Sequence, residues 1–260
     1  MPITAATMPD RLADIRAELR GMLRAETARL QGERSRRRGA INRRIHELRA
    51  MLSPGFPYAS QAGQDAVVDR LLGQRRGGTF VDIGGYDGVT GSNTLFLEQY
   101  RGWTGVLVEP VPAQLARARA IRRCPCLPLA VGAEVGEAGF LEVSAGLTQM
   151  SGLLDSYDPA LLAQVRADPR HRERHLTLRT TTIAGVLEEA GIADPDFVSL
   201  DIEGGEEAAL AVFPFARHRV RIWAIENNTG APGIGRIMRA AGHDLVEFCG
   251  RDEIWRRRDL

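Results

Sequence analysis

Five short apolar runs, separated by helix-like stretches, constrain the fold of this 260-residue chain more than any other feature. They are TFVDI (79–83), GVLVE (105–109), CLPLAV (126–131), DFVSLDI (196–202) and VRIWAIE (220–226). Segments of helical character lie at 92–100, 112–122, 183–190, 205–213 and 232–241. Near-continuous apolar runs suit strands buried on both faces, and parallel strands need helix-length crossovers. The alternation predicts an α/β fold with a mostly parallel sheet covered on both sides. Near the end, HDLVEF and DEIWRR read as two strands joined by a turn around Gly250. Residues 144–175 are polar and read as a lid or substrate loop.

The first 57 residues differ from the rest and read as a helical extension; residues 58–260 form the main domain, with SPGFP (53–57) marking the boundary. Leu12, Ile15, Leu19, Met22, Leu23 and Leu30 recur at helical spacing, as do Ile41, Ile45, Leu48 and Leu52. So narrow a stripe cannot form a core alone. It is expected to pack on the main domain or to form a homo-oligomer. Between the two helices, GERSRRRGA reads as a break whose arginines form a solvated face. A net charge of +1 gives a nucleic-acid partner no support. Every basic residue is Arg, so no lysine can act as base or Schiff-base former. The three cysteines are too few for a disulfide framework, and Cys124-Pro125-Cys126 lacks the spacer of a zinc knuckle. With no apolar leader or membrane-length segment, the expectation is a soluble cytoplasmic protein.

The stretch TFVDIGGYDGVTGSN (79–93) carries the chemistry. In an open parallel sheet, ligands bind at the carboxyl ends of the strands. Asp82 sits at such an end, and Gly84, Gly85 and Gly88 let a ligand approach the backbone. A dinucleotide site wants G-x-G-x-x-G; here Asp82, Gly84 and Gly88 give D-x-G-x-x-x-G. A leading acid repels a pyrophosphate and suits a ligand with an ammonium and a sulfonium, S-adenosylmethionine (SAM). Glu109, ending the next run, is placed to accept hydrogen bonds from ribose hydroxyls. An NAD-dependent oxidoreductase shares such an acid but requires the missing glycine motif.

SQAGQD (60–65), FVDIGGYDGVTGSNTLFLE (80–98), GWTGVLVEPVP (102–112) and VSLDIEGGE (198–206) closely resemble the FkbM-type SAM-dependent methyltransferases. The resemblance covers roughly 58–250 and leaves the N-terminal helices unmatched. It implies a Class I, Rossmann-like domain with a seven-stranded sheet whose last strand is antiparallel. It implies that the loop Asp82, Gly84, Gly85, Asp87, Gly88 wraps the methionine part of SAM. Glu109 with Pro110 would hold the ribose side, Asn93 would lie near the cofactor, and Gln61, Gln64 and Asp65 would either close the methionine end or form a helix N-terminal network. Gly85-Tyr86 departs from the family's more usual Ala-Asn, so altered loop packing is expected.

Methyl transfer needs an aligned nucleophile and removal of its proton. The candidates are Asp201, Glu203 and Glu206 after one strand and Glu226, Asn227 and Asn228 after the next. Asp201, Glu226 and Asn227 offer oxygen ligands for Mg²⁺, an arrangement that resembles catechol-type O-methyltransferases. Asp201 or Glu203 is the candidate proton acceptor, with His243, His171 and His175 as alternative bases. The reading is O-methylation of a small molecule, sugar or natural-product hydroxyl, with no membrane partner. Two alternatives stay open: an RNA methyltransferase anchored by Arg36, Arg37 and Arg38, and a non-catalytic SAM-binding assembly module.

Overall fold

The computed structural model describes residues 8–260, and the apolar runs become neighbouring strands. In chain order the elements are α1 (Met8–Gly32), α2 (Arg37–Leu52), α3 (Gln64–Leu71), β1 (Thr79–Ile83), α4 (Leu95–Arg101), β2 (Thr104–Val108), α5 (Pro112–Ile121) and β3 (Cys126–Leu127). There follow β4 (Ala130–Val131), β5 (Gly136–Ala145), β6 (Gly152–Leu153), α6 (Pro159–Arg166), β7 (Arg172–Thr181) and α7 (Ile183–Ala190). The chain ends through β8 (Phe197–Leu200), α8 (Glu206–Ala211), β9 (Ile222–Glu226), α9 (Gly233–Ala240), β10 (His243–Cys249) and β11 (Asp252–Arg257).

Seven strands form the main sheet in the order β3-β2-β1-β8-β9-β11-β10. β3, β2, β1, β8 and β9 are parallel, and β11 runs antiparallel to both its neighbours. The two-residue period of a strand sorts the side chains. Val81, Ile83, Val198, Leu200 and Trp223 pack with Val186, Leu210 and Met238 of α7, α8 and α9. Phe80, Phe197, Ala224 and Ile254 pack on the other face with Val68, Phe96 and Leu97 of α3 and α4. Asp82 shares the parity of Phe80, which directs it toward the α3/α4 side.

Two expectations fail here. Pro128 splits the 126–131 run, and β4 leaves the main sheet to pair with β7 in a second sheet, β4-β7-β5-β6. Residues 144–175 are also no loop. β5 and β7 pair antiparallel from Gly136↔Thr180 to Ala145↔Arg172, with β6 and α6 between them. RERHLTLRTT is polar because β7 is largely solvent-facing, not because it is irregular.

The arginine run is not a solvated face either. Arg38 makes two 2.6 Å bonds to Glu247 on β10, and Arg36 pairs with Glu253 on β11. Arg34 and Arg37 are the exposed arginines of the run. These pairs pin α2 along the sheet edge, with Ile41, Ile45 and Leu48 buried. Gly39 lets the backbones meet: its carbonyl accepts from Gly250 N at 3.0 Å, and a Cβ there would stand 2.0 Å from the Gly250 oxygen. Among the described residues, no helix is long and apolar enough to cross a membrane.

Candidate active site

The carboxyl ends of β1, β2, β8 and β9 open onto a cavity of about 580 Å³. The glycine turn after β1 forms one wall. Gly84 and Gly85 both donate their N–H to Val108 O, at 2.9 and 3.1 Å, which folds the turn across the end of β2. Gly84 has φ +80°, and a Cβ on it would stand 1.7 Å from the Asp201 carbonyl oxygen. A Cβ on Gly85 would meet Leu107 at 2.4 Å. Both glycines are thus required for the turn to pack on the ends of β8 and β2, and both line the cavity.

Asp82 lines the cavity but is engaged from behind. It accepts a 2.5 Å bond from Thr94 Oγ1 and lies 3.6 Å from the buried Arg122 guanidinium, which also pairs with Glu98 at 2.8 Å. Burial raises the Asp82 pKa, while Arg122 and Thr94 oppose that rise. The charge argued from sequence to await a cationic ligand is therefore largely met inside the protein. Asp87 and Gly88 do not line the cavity. The Asp87 carboxylate accepts from Val89 N, Thr90 N and Thr90 Oγ1, closing the turn. Gly88 makes room for Ala118 and Arg122.

Glu109 and Pro110 line the cavity at the end of β2. Glu109 accepts from Tyr86 N at 3.0 Å and Val111 N at 2.7 Å. Burial, aided by the charges of Asp82 and Asp87, pushes it up to about 7 against those bonds. Val111, Ala130 and Phe140 form an apolar wall beside it. Asn93 lines the opposite side and donates to Ser199 Oγ at 2.9 Å. Gln64 lines it too, donating to Asp252 at 3.0 Å and accepting from Ala62 N at 2.8 Å. Asp65 does not; its carboxylate accepts from Ala59 N, Ser60 N, Ser60 Oγ and Ala66 N, a network that orders the start of α3.

Asp201, Glu203 and Glu226 converge at the far end, with one oxygen of each within 4.8 Å of the others. Burial and the charges of Asp252 and Glu206 push Asp201 up to about 8. Burial and mutual repulsion raise Glu203 and Glu226 well above the ordinary range. Asn227 is not part of this cluster. Its amide donates to Ala231 O at 3.0 Å and Glu253 at 2.9 Å, away from the cavity, because β11 offers a buried carboxylate there. Asn228 takes its place, donating to Glu203 and Glu226. His243 is also misplaced. It opens β10, beside Val220 O at 3.2 Å, at the amino ends of the parallel strands and so at the opposite edge of the sheet. His171 and His175 lie on β7 or just before it, beside Glu173, and neither lines the cavity.

Residues 82–248, more than half the chain, match the family model described as the methyltransferase FkbM domain. The chain belongs to the FkbM methyltransferase family. It is accordingly a methyltransferase of the FkbM type. Among solved structures, the FkbM methyltransferase from Methylobacillus flagellatus KT aligns at 13% identity and a TM-score of 0.45, over 92% of this chain and 60% of that one. A TehB-like SAM-dependent methyltransferase from Corynebacterium glutamicum ATCC 13032 Kitasato aligns at 13% identity and 0.39, over 75% and 88%. The precorrin-6y C5,15-methyltransferase from Geobacter metallireducens GS-15 gives 10% and 0.41, over 75% and 86%. No curated protein matches the sequence.

Sequence reasoning missed several residues of this FkbM site. Asp252 is buried in the cavity wall, beside Glu226 across the β9–β11 pair. Its signal was available: β11 is antiparallel, so its first residue belongs at the edge where the other strands end. Arg122 gave no signal among so many arginines. The β5–β6 connection (Leu147–Ser151) and α6 (Leu161, Gln164, Val165), within the segment read as a lid or substrate loop, also line the cavity, as a folded wall and not a loop.

Proposed function

We propose that this methyltransferase transfers a methyl group to a hydroxyl of a small molecule, sugar or natural-product scaffold. The observation that carries the reading is the carboxylate trio Asp201, Glu203 and Glu226 in the same cavity as the glycine turn. Bound SAM supplies an electrophilic methyl group on a sulfonium. The residues present fit it. The Gly84-Gly85 turn that lines the cavity suits the methionine chain, Glu109 offers acceptors to ribose hydroxyls, and Val111, Ala130 and Phe140 suit a flat base. Asp201, held near pKa 8, takes the proton of the acceptor hydroxyl, and the walls hold that oxygen in line.

The test is methyl-labelled SAM with a panel of hydroxylated small molecules and sugars, products read by mass spectrometry and NMR. Methyl ethers are expected, and Asp201→Asn should lower turnover roughly 100- to 10,000-fold, with affinity for S-adenosylhomocysteine (SAH) nearly unchanged. Products methylated on nitrogen or on RNA would sink the reading. RNA is further disfavoured by Arg36 and Arg38, whose guanidinium groups are already bound to glutamates.

A second reading rests on the same trio. Three carboxylates this close are hard oxygen donors that fit Mg²⁺; Asp201, Glu203 and Glu226 would hold it, without Asn227, and it would acidify the hydroxyl. Turnover unchanged by exhaustive chelation would remove this reading and keep the first.

The helical extension supports self-association. Leu12, Ile15 and Met22 on α1 are 49%, 52% and 51% exposed, at the spacing of a coiled-coil seam. Light scattering should report a dimer or larger for the wild type and a monomer for Ile15→Glu. A monomeric wild type would end the idea.

A further inference from the structure

Tyr86 occupies an unusual backbone position. Its φ is +50°, in the left-handed region that a bulky side chain rarely adopts. Among the described residues, only Gln74, Tyr86 and Glu203 share this sign without being glycine, and the last two line the cavity. Such a conformation persists only where the surroundings over-determine it. Two bonds do so here. The Tyr86 N–H donates to Glu109 Oε2 at 3.0 Å, and its phenol oxygen lies 2.7 Å from Thr148 Oγ1.

Thr148 belongs to the β5–β6 connection, which is fixed at its base. Tyr157 Oη donates to Met150 O at 2.7 Å, Ser151 Oγ accepts from Val143 N at 3.0 Å, and Met150 N donates to Leu147 O at 2.9 Å. The connection then leans over the cavity toward the glycine turn. Among the described residues, the Tyr86–Thr148 bond is the one hydrogen bond between the turn and the inserted sheet. One residue thus links the backbone cradle, the Glu109 carboxylate and the cover.

We propose that Tyr86 and Thr148 form a clasp that holds the β5–β6 connection closed over bound cofactor and orients Glu109 beneath it. The inference rests on the SAM reading of this cavity and adds two positioning residues to it. Phenol and hydroxyl act as a pair, so removing either partner opens the same contact. The left-handed backbone sets the Tyr86 side chain toward the insert; asparagine would tolerate that backbone but is too short for the phenol's reach.

The test is the dissociation rate of SAH, measured by rapid dilution into excess unlabelled competitor, for wild type, Tyr86→Phe, Thr148→Val and the double variant. Each single change should speed release roughly fivefold, the effect of one hydrogen bond. The double variant should be no faster than the faster single. The melting temperature of the ligand-free protein should stay near that of wild type, because both groups sit at the cavity rim and not in the core. Unchanged release in both single variants, with SAH still bound, overturns the clasp and leaves the cofactor reading standing. Multiplicative effects in the double variant also overturn it, since the two groups then do not act as a pair. Failure of wild type to bind SAH would remove the cofactor reading itself, and the clasp with it.

Discussion

Gly84→Ala is expected to abolish measurable SAH binding and to destabilise the domain by about 2–5 kcal/mol, the sum of a left-handed penalty and an overpacking penalty. The added Cβ would stand 1.7 Å from the Asp201 carbonyl oxygen, a backbone atom that cannot swing aside as a side chain can. The turn would have to lift from the end of β8. That movement breaks the bonds of Gly84 and Gly85 to Val108 O and carries Tyr86 away from Glu109. Gly102→Ala is the control. Gly102 has φ +66° but nothing within 4 Å of its added Cβ, so it isolates the conformational penalty of about 1–2 kcal/mol. Urea unfolding and calorimetric titration with SAH on both variants separate the two effects. If Gly84→Ala bound SAH like wild type, close packing of the turn on β8 would not matter to the site.

Much of the main sheet was legible because its strands are buried on both faces and read as unbroken apolar runs. TFVDI and GVLVE could hardly be anything else, and IAGVLEEA fell on α7 as expected at 183–190. The second sheet was not legible. RERHLTLRTT exposes half of its residues and fully buries only the last two, so its sequence carries the polarity of a loop. Pro128 hid the transfer of the chain between sheets for a similar reason, as a single residue inside an apolar run.

The candidate site divides along another line. Positions set by the main chain were readable: a glycine turn after one strand and an acid ending each of four. Positions set by side-chain competition were not. Asn227 and Asn228 are adjacent and identical, and only the buried Glu253 on β11 decides which one turns away from the cluster. His243 looked available because a sequence does not show that the strand it opens begins at the wrong edge of the sheet. Asp82 looked like a free charge because nothing marks Arg122, forty residues later, as the arginine behind it.

The second large effect expected is a pair of opposed pH dependences with one cause. Glu109 is pushed up to about 7 from an ordinary 4.5, chiefly by burial, and Asp65 and Asp252 are pushed up to about 6 from 3.8 for the same reason. A carboxyl with a raised folded-state pKa binds its proton more tightly folded than unfolded. Its contribution is therefore favourable at low pH and is lost as pH rises from the unfolded value to the folded one. Ligand-free protein should become less stable from pH 5 to 8, with Glu109 alone contributing about 3 kcal/mol to the fall. Asp168 and Glu173, held near 2, do not oppose this slope, because their contribution is complete above the ordinary carboxylate range. Binding runs the other way. Ribose hydroxyls donate to the ionised Glu109, so affinity for SAH should fall by up to about tenfold per pH unit below 7 and level off above it. Glu109→Gln should flatten that profile and weaken binding about 10- to 100-fold at pH 8, the worth of a charge-assisted hydrogen bond. Thermal melts of ligand-free protein and SAH titrations over pH 5–8 give both curves. Burial that penalises the empty, ionised site is the same burial that strengthens a hydrogen bond to Glu109 once a ligand makes it, so the slopes oppose each other. Slopes of the same sign, or a Glu109→Gln profile as steep as wild type, would take the ribose contact away from this residue.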